Sequence, residues 1–390
     1  MAVAQTLTIN MGPQHPSTHG VLRVVLELEG ETVLRAVPYI GYLHTGIEKE
    51  AEYKTYNKAL TMTDRLDYLA CNNNNMAFVL PVEKLLELEI PKRAQQIRVM
   101  MCELSRLASH LAWLGTHALD MGAITPFFYC FREREMILDM FDMTAGARMT
   151  PSYIRVGGVA GDLPDGLMEK LKKFLKIFPG KLDEYEALLT KNKIWMMRTK
   201  GVGRISAEDG MNLGLTGPSL RACGVRWDIR KAQPYSGYDE YEFEIPVGAN
   251  GDVYDRYLVR IQEMRQSARI LEQRADGLAP GPVKAKAVKV TPPPRELLHG
   301  SMEALINHFI IFSRGYQVPA GEAYVPTESP KGELGFYFVS DGTEKPYRMH
   351  IRAPSLMNLQ ALKKMVQGRL VADVVAIIGS LDIVLGEIDR

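Results

Sequence analysis

Between Pro91 and Gly122 the chain holds a single helical period: Ile97, Met101, Leu104, Ala108, Leu111, Gly115 and Ala118 alternate steps of four and three, which sets them on one face of an α-helix. Proline fits a first helical turn and glycine a C-terminal cap, so the spacing predicts one helix over 91–121. A second stripe on the same period, Glu103, Arg106, His110, Trp113, His117 and Asp120, carries ionisable groups instead. A helix of this length with an apolar face must pack against a core, and the pattern alone favours solvent over a polar site or a partner on its second face. Any fold of this chain is built around that element.

The other segments arrange themselves about it. Leu22, Val24, Leu26 and Leu28 alternate with Arg23, Val25 and Glu27. Gly30 then turns the chain before it extends again over 32–37, so residues 1–40 read as an N-terminal β-region with a hairpin. Residues 41–390 read as one mostly helical body: three or four segments before Ile90, a helix from Thr125-Pro126 to about Thr144, and helical periods near 167–191, 253–275, 297–312 and 357–378. A small β-hairpin is expected at 336–351, turning at Asp341-Gly342, and Pro280, Pro282 and Pro292 to Pro294 bracket a connector. The expected class is α+β, predominantly α-helical.

Composition narrows the function. Lys plus Arg number 47 against 46 Asp plus Glu, a formal net charge of +1, which argues against a nucleic-acid binder. Hydrophobic residues at 46% and charged residues at 24% are globular proportions. No apolar run reaches the ~18 residues of a membrane span, because Asp373, Gly379, Ser380 and Asp382 interrupt the best candidate. The first residues lack the features of a signal peptide, which favours a cytosolic location. Cys71, Cys102, Cys130 and Cys223 are dispersed, so neither a disulfide framework nor a cysteine-held cluster within this chain is expected.

Three short stretches could carry chemistry. In Gly12-Pro13-Gln14-His15-Pro16-Ser17-Thr18-His19-Gly20 the two histidines have the spacing of ligands on one helical face, but Pro13 and Pro16 make a helix improbable and a rigid turn presenting imidazoles the better reading. By spacing alone an isolated histidine is more often structural than functional. Thr63-Asp64-Arg65-Leu66-Asp67-Tyr68 sets three charges beside a phenol just before Asn72 to Asn75, either the edge of a cavity or an ordinary capped helix end. Gly201-Val202-Gly203-Arg204 lacks the third glycine of a dinucleotide fingerprint, since Ser206 stands there, and NAD binding to this chain is rejected. Phosphate loops and nucleophile elbows are likewise missing.

Taken together with Leu43-His44-Thr45-Gly46-Ile47-Glu48-Lys49, Gly217-Pro218-Ser219-Leu220-Arg221-Ala222, Val339-Ser340-Asp341-Gly342, Pro346-Tyr347-Arg348 and the final Gly386-Glu387-Ile388-Asp389-Arg390, these stretches closely resemble the quinone-site subunit family of respiratory complex I, the proton-pumping NADH:quinone oxidoreductase. That family is itself similar to the nickel-iron hydrogenase large subunit, whose pattern is RGxE, sixteen residues, then RxCGxC. Here Thr45-Gly46-Ile47-Glu48 is followed by sixteen residues and Arg65, which puts Asp67 and Ala70 at the cysteine positions. Val384 and Glu387 stand at those of the C-terminal DPCxxC. All four metal-holding thiolates are gone, and with them the hydrogenase reaction.

The resemblance implies a hydrogenase-large-subunit-like helical core whose vacated metal pocket has become the head of a quinone chamber. It implies that Tyr68 and His19 hydrogen-bond the two quinone oxygens and donate protons, and that Asp120 pairs with His19. His15, Arg65, Asp67, Lys331 and Asp382 are implied as further quinone-binding or coupling positions. It implies that the chain itself holds no cofactor or metal and that quinone is the substrate. Electrons would come from a tetranuclear iron-sulfur cluster in the adjacent B-type iron-sulfur subunit. The C-type and I-type subunits, the H-type membrane subunit at the quinone tunnel and the other complex I subunits are implied as partners, and nucleic acid is excluded. The implied place is peripheral, on the cytoplasmic face of the bacterial cell membrane. Thr150 stands where many members have a histidine beside the cluster, which implies a lower, less pH-dependent potential suited to menaquinone. Rival readings are a membrane-associated hydrogenase relative and a non-catalytic scaffold.

Overall fold

The computed structural model describes residues 6–390, so residues 1–5 of the expected β-region lie outside the described residues. Strands β1 (Thr6–Met11), β2 (Arg23–Glu29) and β3 (Thr32–Tyr39) form an antiparallel sheet in that order. The period of two turns Val24, Leu26 and Leu28 to one face, where with Leu22 they are buried. They share a core with Leu362, Val366, Ile377 and Leu381 near the other end of the chain. Reciprocal backbone bonds fix that contact: Val33 donates to the Arg369 carbonyl and Gly368 donates to that of Val33, each at 2.8 Å.

Helices α1 (Ile47–Ala51), α2 (Tyr56–Thr63) and α3 (Cys71–Leu85) lead to α4 (Lys92–Asp120) and α5 (Ile124–Ala145). The long helix has the expected bounds within a residue. Its second stripe does not behave as expected: Glu103, Arg106, His110, Trp113 and His117 are at most 3% exposed, so the solvated-face reading is wrong. A periodic stripe reports what a face is made of and not what covers it. Here Glu103 and Arg106 pair with each other at 3.3 Å, and the further groups that answer the stripe, Arg230 and Glu263, come from segments more than a hundred residues downstream.

The short strands β4 (Ile154–Arg155) and β5 (Gly158–Val159) are followed by α6 (Leu167–Leu189) and four short helices, α7 (Lys193–Thr199), α8 (Ala207–Asn212), α9 (Gly217–Arg221) and α10 (Ile229–Ala232). α11 (Val253–Glu272) lies along α4 and supplies much of its charged complement, and α12 (Met302–Ser313) stands at the surface. Leu104, Leu111, Phe174, Leu182 and Ile261 share the largest apolar core, between α4, α6 and α11.

The expected hairpin is part of a three-stranded meander, β6 (Gly321–Ser329), β7 (Gly332–Ser340) and β8 (Arg348–Arg352). Pro326 obscures β6 in the sequence, and it is tolerated because β6 is an edge strand. Phe336 and Phe338 of β7 pack on Phe78 of α3, the latter edge-on with ring centroids 5.0 Å apart. The helix expected over 357–378 is three pieces, α13 (Pro354–Gln360), α14 (Leu362–Val366) and α15 (Val371–Leu381); between the last two, Gly368 and Arg369 leave the helix to bond Val33. α16 (Leu385–Asp389) closes the chain. Among the described residues no helix is long and apolar enough to cross a membrane.

Candidate functional site

Three chain segments far apart in sequence meet at one place. The first is the histidine loop, which forms not a helix but a single 3-10 turn, Pro16–Thr18. His15 is extended and its Nδ1 accepts from the Ser17 amide at 3.2 Å. Buried Thr18 donates to the His15 carbonyl at 2.9 Å, and His19 closes the turn at φ 54°, a left-handed conformation costly for a non-glycine residue. The turn packs against α15.

The second segment is the bend between α2 and α3. The asparagine run at the start of α3 is buried and holds that bend. Asn74 donates to the Asp67 carbonyl at 2.9 Å, Asn75 donates to the Asp64 carboxylate at 2.6 Å, and Asn72 reaches Ser105 on α4 at 3.0 Å. Tyr68 stands on this braced bend and is 38% exposed, whereas Asp67 beside it is fully buried. Arg65 is exposed, and among the described residues its side chain donates only to the Thr61 carbonyl, at 3.1 Å.

The third is the C-terminal segment. A Cβ on Gly386 would lie 2.5 Å from the carbonyl oxygens of both Arg65 and Leu66, so only glycine lets α16 approach the bend. The last residues are clamped: the Asp389 carboxylate accepts from the Gly41 and Leu43 amides at 2.8 and 2.7 Å, and Arg390 donates to the Ile351 carbonyl at 2.6 Å. Asp382 ends α15 in a left-handed conformation, φ 53°. Its Oδ1 accepts from Lys331 Nζ at 2.6 Å, and the same ammonium donates to Ser109 of α4 at 2.9 Å. Arg260 of α11 lies 3.7 Å from the other Asp382 oxygen.

Lys331 and Asp382 are thus one buried ion pair, and the remaining groups are tuned by it. His19 is exposed by area, yet protein surrounds its ring closely enough that desolvation lowers its pKa. Asp382 opposes that shift and Lys331 adds to it. Asp67 is raised by burial and by Asp382, and held down in part by Lys331. Tyr68 is raised by desolvation and by the Asp67 charge, which keeps its phenol protonated. Glu387, fully buried, is pushed up to about 8 by burial and then by Asp67. One oxygen of Asp67 and one of Glu387 have no hydrogen-bond partner among the described residues.

One implied contact is not made. Asp120 has neither a hydrogen bond nor an ion pair with His19 among the described residues; burial raises its carboxyl and the charge that opposes this is His15's. The 3-10 turn separates the imidazoles, so that His15 serves the end of α4 and His19 the Lys331–Asp382 pair. Sequence reasoning missed Arg260 and Ser109 and saw Glu387 only as a lost ligand position. Arg256, Arg260 and Glu263, spaced four and three along a helical period, were the signal that could have found Arg260.

The three segments set a half-open phenol and an imidazole about one buried ion pair, beside carboxyls that burial pushes towards their protonated forms. The family described as "Respiratory-chain NADH dehydrogenase, 49 Kd subunit" matches residues 120–390. A relative in Geotalea uraniireducens, named as the D-type subunit of an NADH-quinone oxidoreductase, is 57% identical over the whole length of both chains. The protein of the same name in Geobacter sulfurreducens is also 57% identical over all of both chains. In Chloroflexus aurantiacus, a D-type NADH-quinone oxidoreductase subunit numbered 2 is 58% identical over 99% of this chain and 95% of its own. This chain belongs to that 49 Kd subunit family of the respiratory-chain NADH dehydrogenases, and so to an oxidoreductase complex.

Proposed function

We propose that this chain forms the quinone-reducing site of a proton-pumping NADH:quinone oxidoreductase. The observation that carries the reading is the half-open phenol of Tyr68, set over buried Asp67 on the same Lys331–Asp382 centre that His19 reaches. The names of the relatives supply the electron acceptor's class.

Reduction of a quinone takes two electrons and two protons, and the charge that builds on each oxygen must be met by a donor. Tyr68 meets one oxygen and His19 the other. A phenol with a raised pKa stays protonated until an anionic oxygen draws the proton, and an imidazole with a lowered one gives up its proton readily. Lys331 and Asp382 set the field at His19, and Asp120 acts on the same loop through His15. Arg65, at the rim, faces the entry side. Electrons come from a tetranuclear iron-sulfur cluster in the B-type subunit. The chain has the helical core of a hydrogenase large subunit, and it sits at the cytoplasmic membrane face beside the C-type, I-type and H-type subunits. Thr150, exposed in this chain, suits a low-potential menaquinone.

Tyr68→Phe tests the reading in the purified complex. Quinone reductase activity should fall on the order of 10²-fold while NADH still reduces the iron-sulfur clusters. Unchanged activity would make the chain a scaffold.

A further inference from the structure

Away from that site, a cavity of about 500 Å³ opens between α2, the β4–β5 turn, the proline-rich connector and α12. Its wall carries Lys58, Arg155, Lys284, Arg295 and His308, and no carboxylate. None of the five has an ion-pair partner among the described residues, in a chain whose acidic and basic residues balance almost one for one. Composition therefore does not explain the cluster. Arg155 and Lys284 are half-buried, and desolvation weakens the hold of both on their protons, with Arg295 adding repulsion at Lys284. The carboxylate that acts on Arg155, Asp64, is already engaged by Asn75 and Ser152. The Arg155 backbone is anchored at the cavity wall, because its carbonyl accepts from buried Arg98 at 2.8 Å.

The apolar surface of α12 continues from this cavity. His308 and Phe312 line it, while Leu305, Ile306 and Phe309 on the same helix are 53%, 50% and 70% exposed. An inorganic anion would answer the cations and leave that apolar face in water. A polypeptide presenting carboxylates to the cavity and apolar side chains to α12 answers both, and a chain that is one subunit of a complex has such neighbours. We infer that this cavity and the exposed face of α12 together dock an acidic, apolar-flanked segment of another subunit of the complex.

The assembled complex provides the test. With photoreactive benzoylphenylalanine in place of Phe309, irradiation should cross-link one segment of another subunit, with Asp or Glu within a few residues of the linked position. The double variant Lys284→Glu, Arg295→Glu should then lose that subunit from the purified complex, roughly tenfold at moderate salt, and the neutral variant Lys284→Gln, Arg295→Gln should lose it less. A cross-link to phospholipid or to a segment without carboxylates, or no cross-link at all, overturns the inference. So does full subunit retention in the charge-reversed variant, or a cavity whose only response is stabilisation of the complex by inorganic phosphate.

Discussion

Two buried charged regions lie along α4, and they are built differently. In the one around its N-terminal half, every acid has a cation beside it, although burial still raises the Glu328 carboxyl. Glu103 accepts from Arg230 at 3.1 Å, from Tyr238 at 2.7 Å and from Ser267 at 2.6 Å. Arg221 bridges Glu263 at 2.6 Å and Glu328 at 2.8 Å, and His110 joins Glu263 at 3.0 Å. Although burial opposes it, the arginines hold the Glu103 and Glu263 carboxyls below the usual range, so they remain ionised. The region around Asp67 and Glu387 is the opposite: its carboxyls are pushed up and each keeps an unpartnered oxygen. A network saturated at its carboxylates, even with Arg106 Nη1 and His110 Nδ1 unpartnered among the described residues, fixes one arrangement, whereas one with open carboxyls can change its proton content without breaking the fold. The first is scaffold, and the second is where chemistry is possible.

Breaking the saturated side should have the largest effect on stability. Arg221→Met leaves Glu263 and Glu328 buried without their main cation, a loss of about 3–5 kcal/mol. Thermal inactivation of the complex carrying the variant should occur well below that of the parent, and parent-like inactivation would mean that the network is not the scaffold.

Lys331→Met should cost less, about 1–3 kcal/mol, because Asp382 keeps Arg260 nearby at 3.7 Å. Its sharper effect is on pH. Lys331 depresses the His19 pKa, so removing that charge lets the imidazole keep its proton to higher pH. The alkaline limb of quinone reductase activity should move upward, and an unmoved limb would separate His19 from this ion pair.

Much of this contrast was legible in the sequence as inventory but not as arrangement. The period of α4, the alternation of β2 and the turn-forming prolines of the histidine loop act locally, and those elements stand where the pattern puts them. The burial of Glu103 and His110 was hidden because their partners, Arg230 and Glu263, are 127 and 153 residues away. β6 was hidden by a proline that only an edge tolerates, and the break before α15 by a contact with Val33 from the other end of the chain. Tyr68, His19 and Asp382 were recognisable through family resemblance, since no spacing joins them. Resemblance pairs Asp120 with His19, whereas the imidazole whose charge acts on Asp120 is that of His15, a difference made by the 3-10 turn between the two histidines.

On the unsaturated side, Glu387 gives a pH signature. Its folded pKa of about 8 lies above the ordinary 4.5, so the folded state binds the extra proton. Stability from this group is present below 4.5 and lost as pH rises towards 8, with no further loss above. Hydrogen exchange of α16, corrected for intrinsic rates, should therefore show opening that grows on the order of 10²-fold between about pH 6 and 8. Glu387→Gln, which carries no titrating proton, should flatten that dependence.

The smallest effect is expected at Thr150, which bears on electron supply only through the proposed function and leaves both buried regions untouched. Threonine carries no titratable proton, so if the proposed cluster lies beside this position, nothing here can couple its charge to pH. Thr150→His would place an imidazole with an ordinary pKa near 6.5 there. A cluster beside it would gain a proton as it gains an electron, and its midpoint potential would rise and acquire a slope approaching about 59 mV per pH unit. Redox titration of the complex followed by electron paramagnetic resonance should show a nearly flat line for the parent and a slope for the variant. A proton-coupled slope already present in the parent would mean that another residue does the coupling, and would remove the argument for a low-potential quinone while leaving Tyr68 and His19 in place.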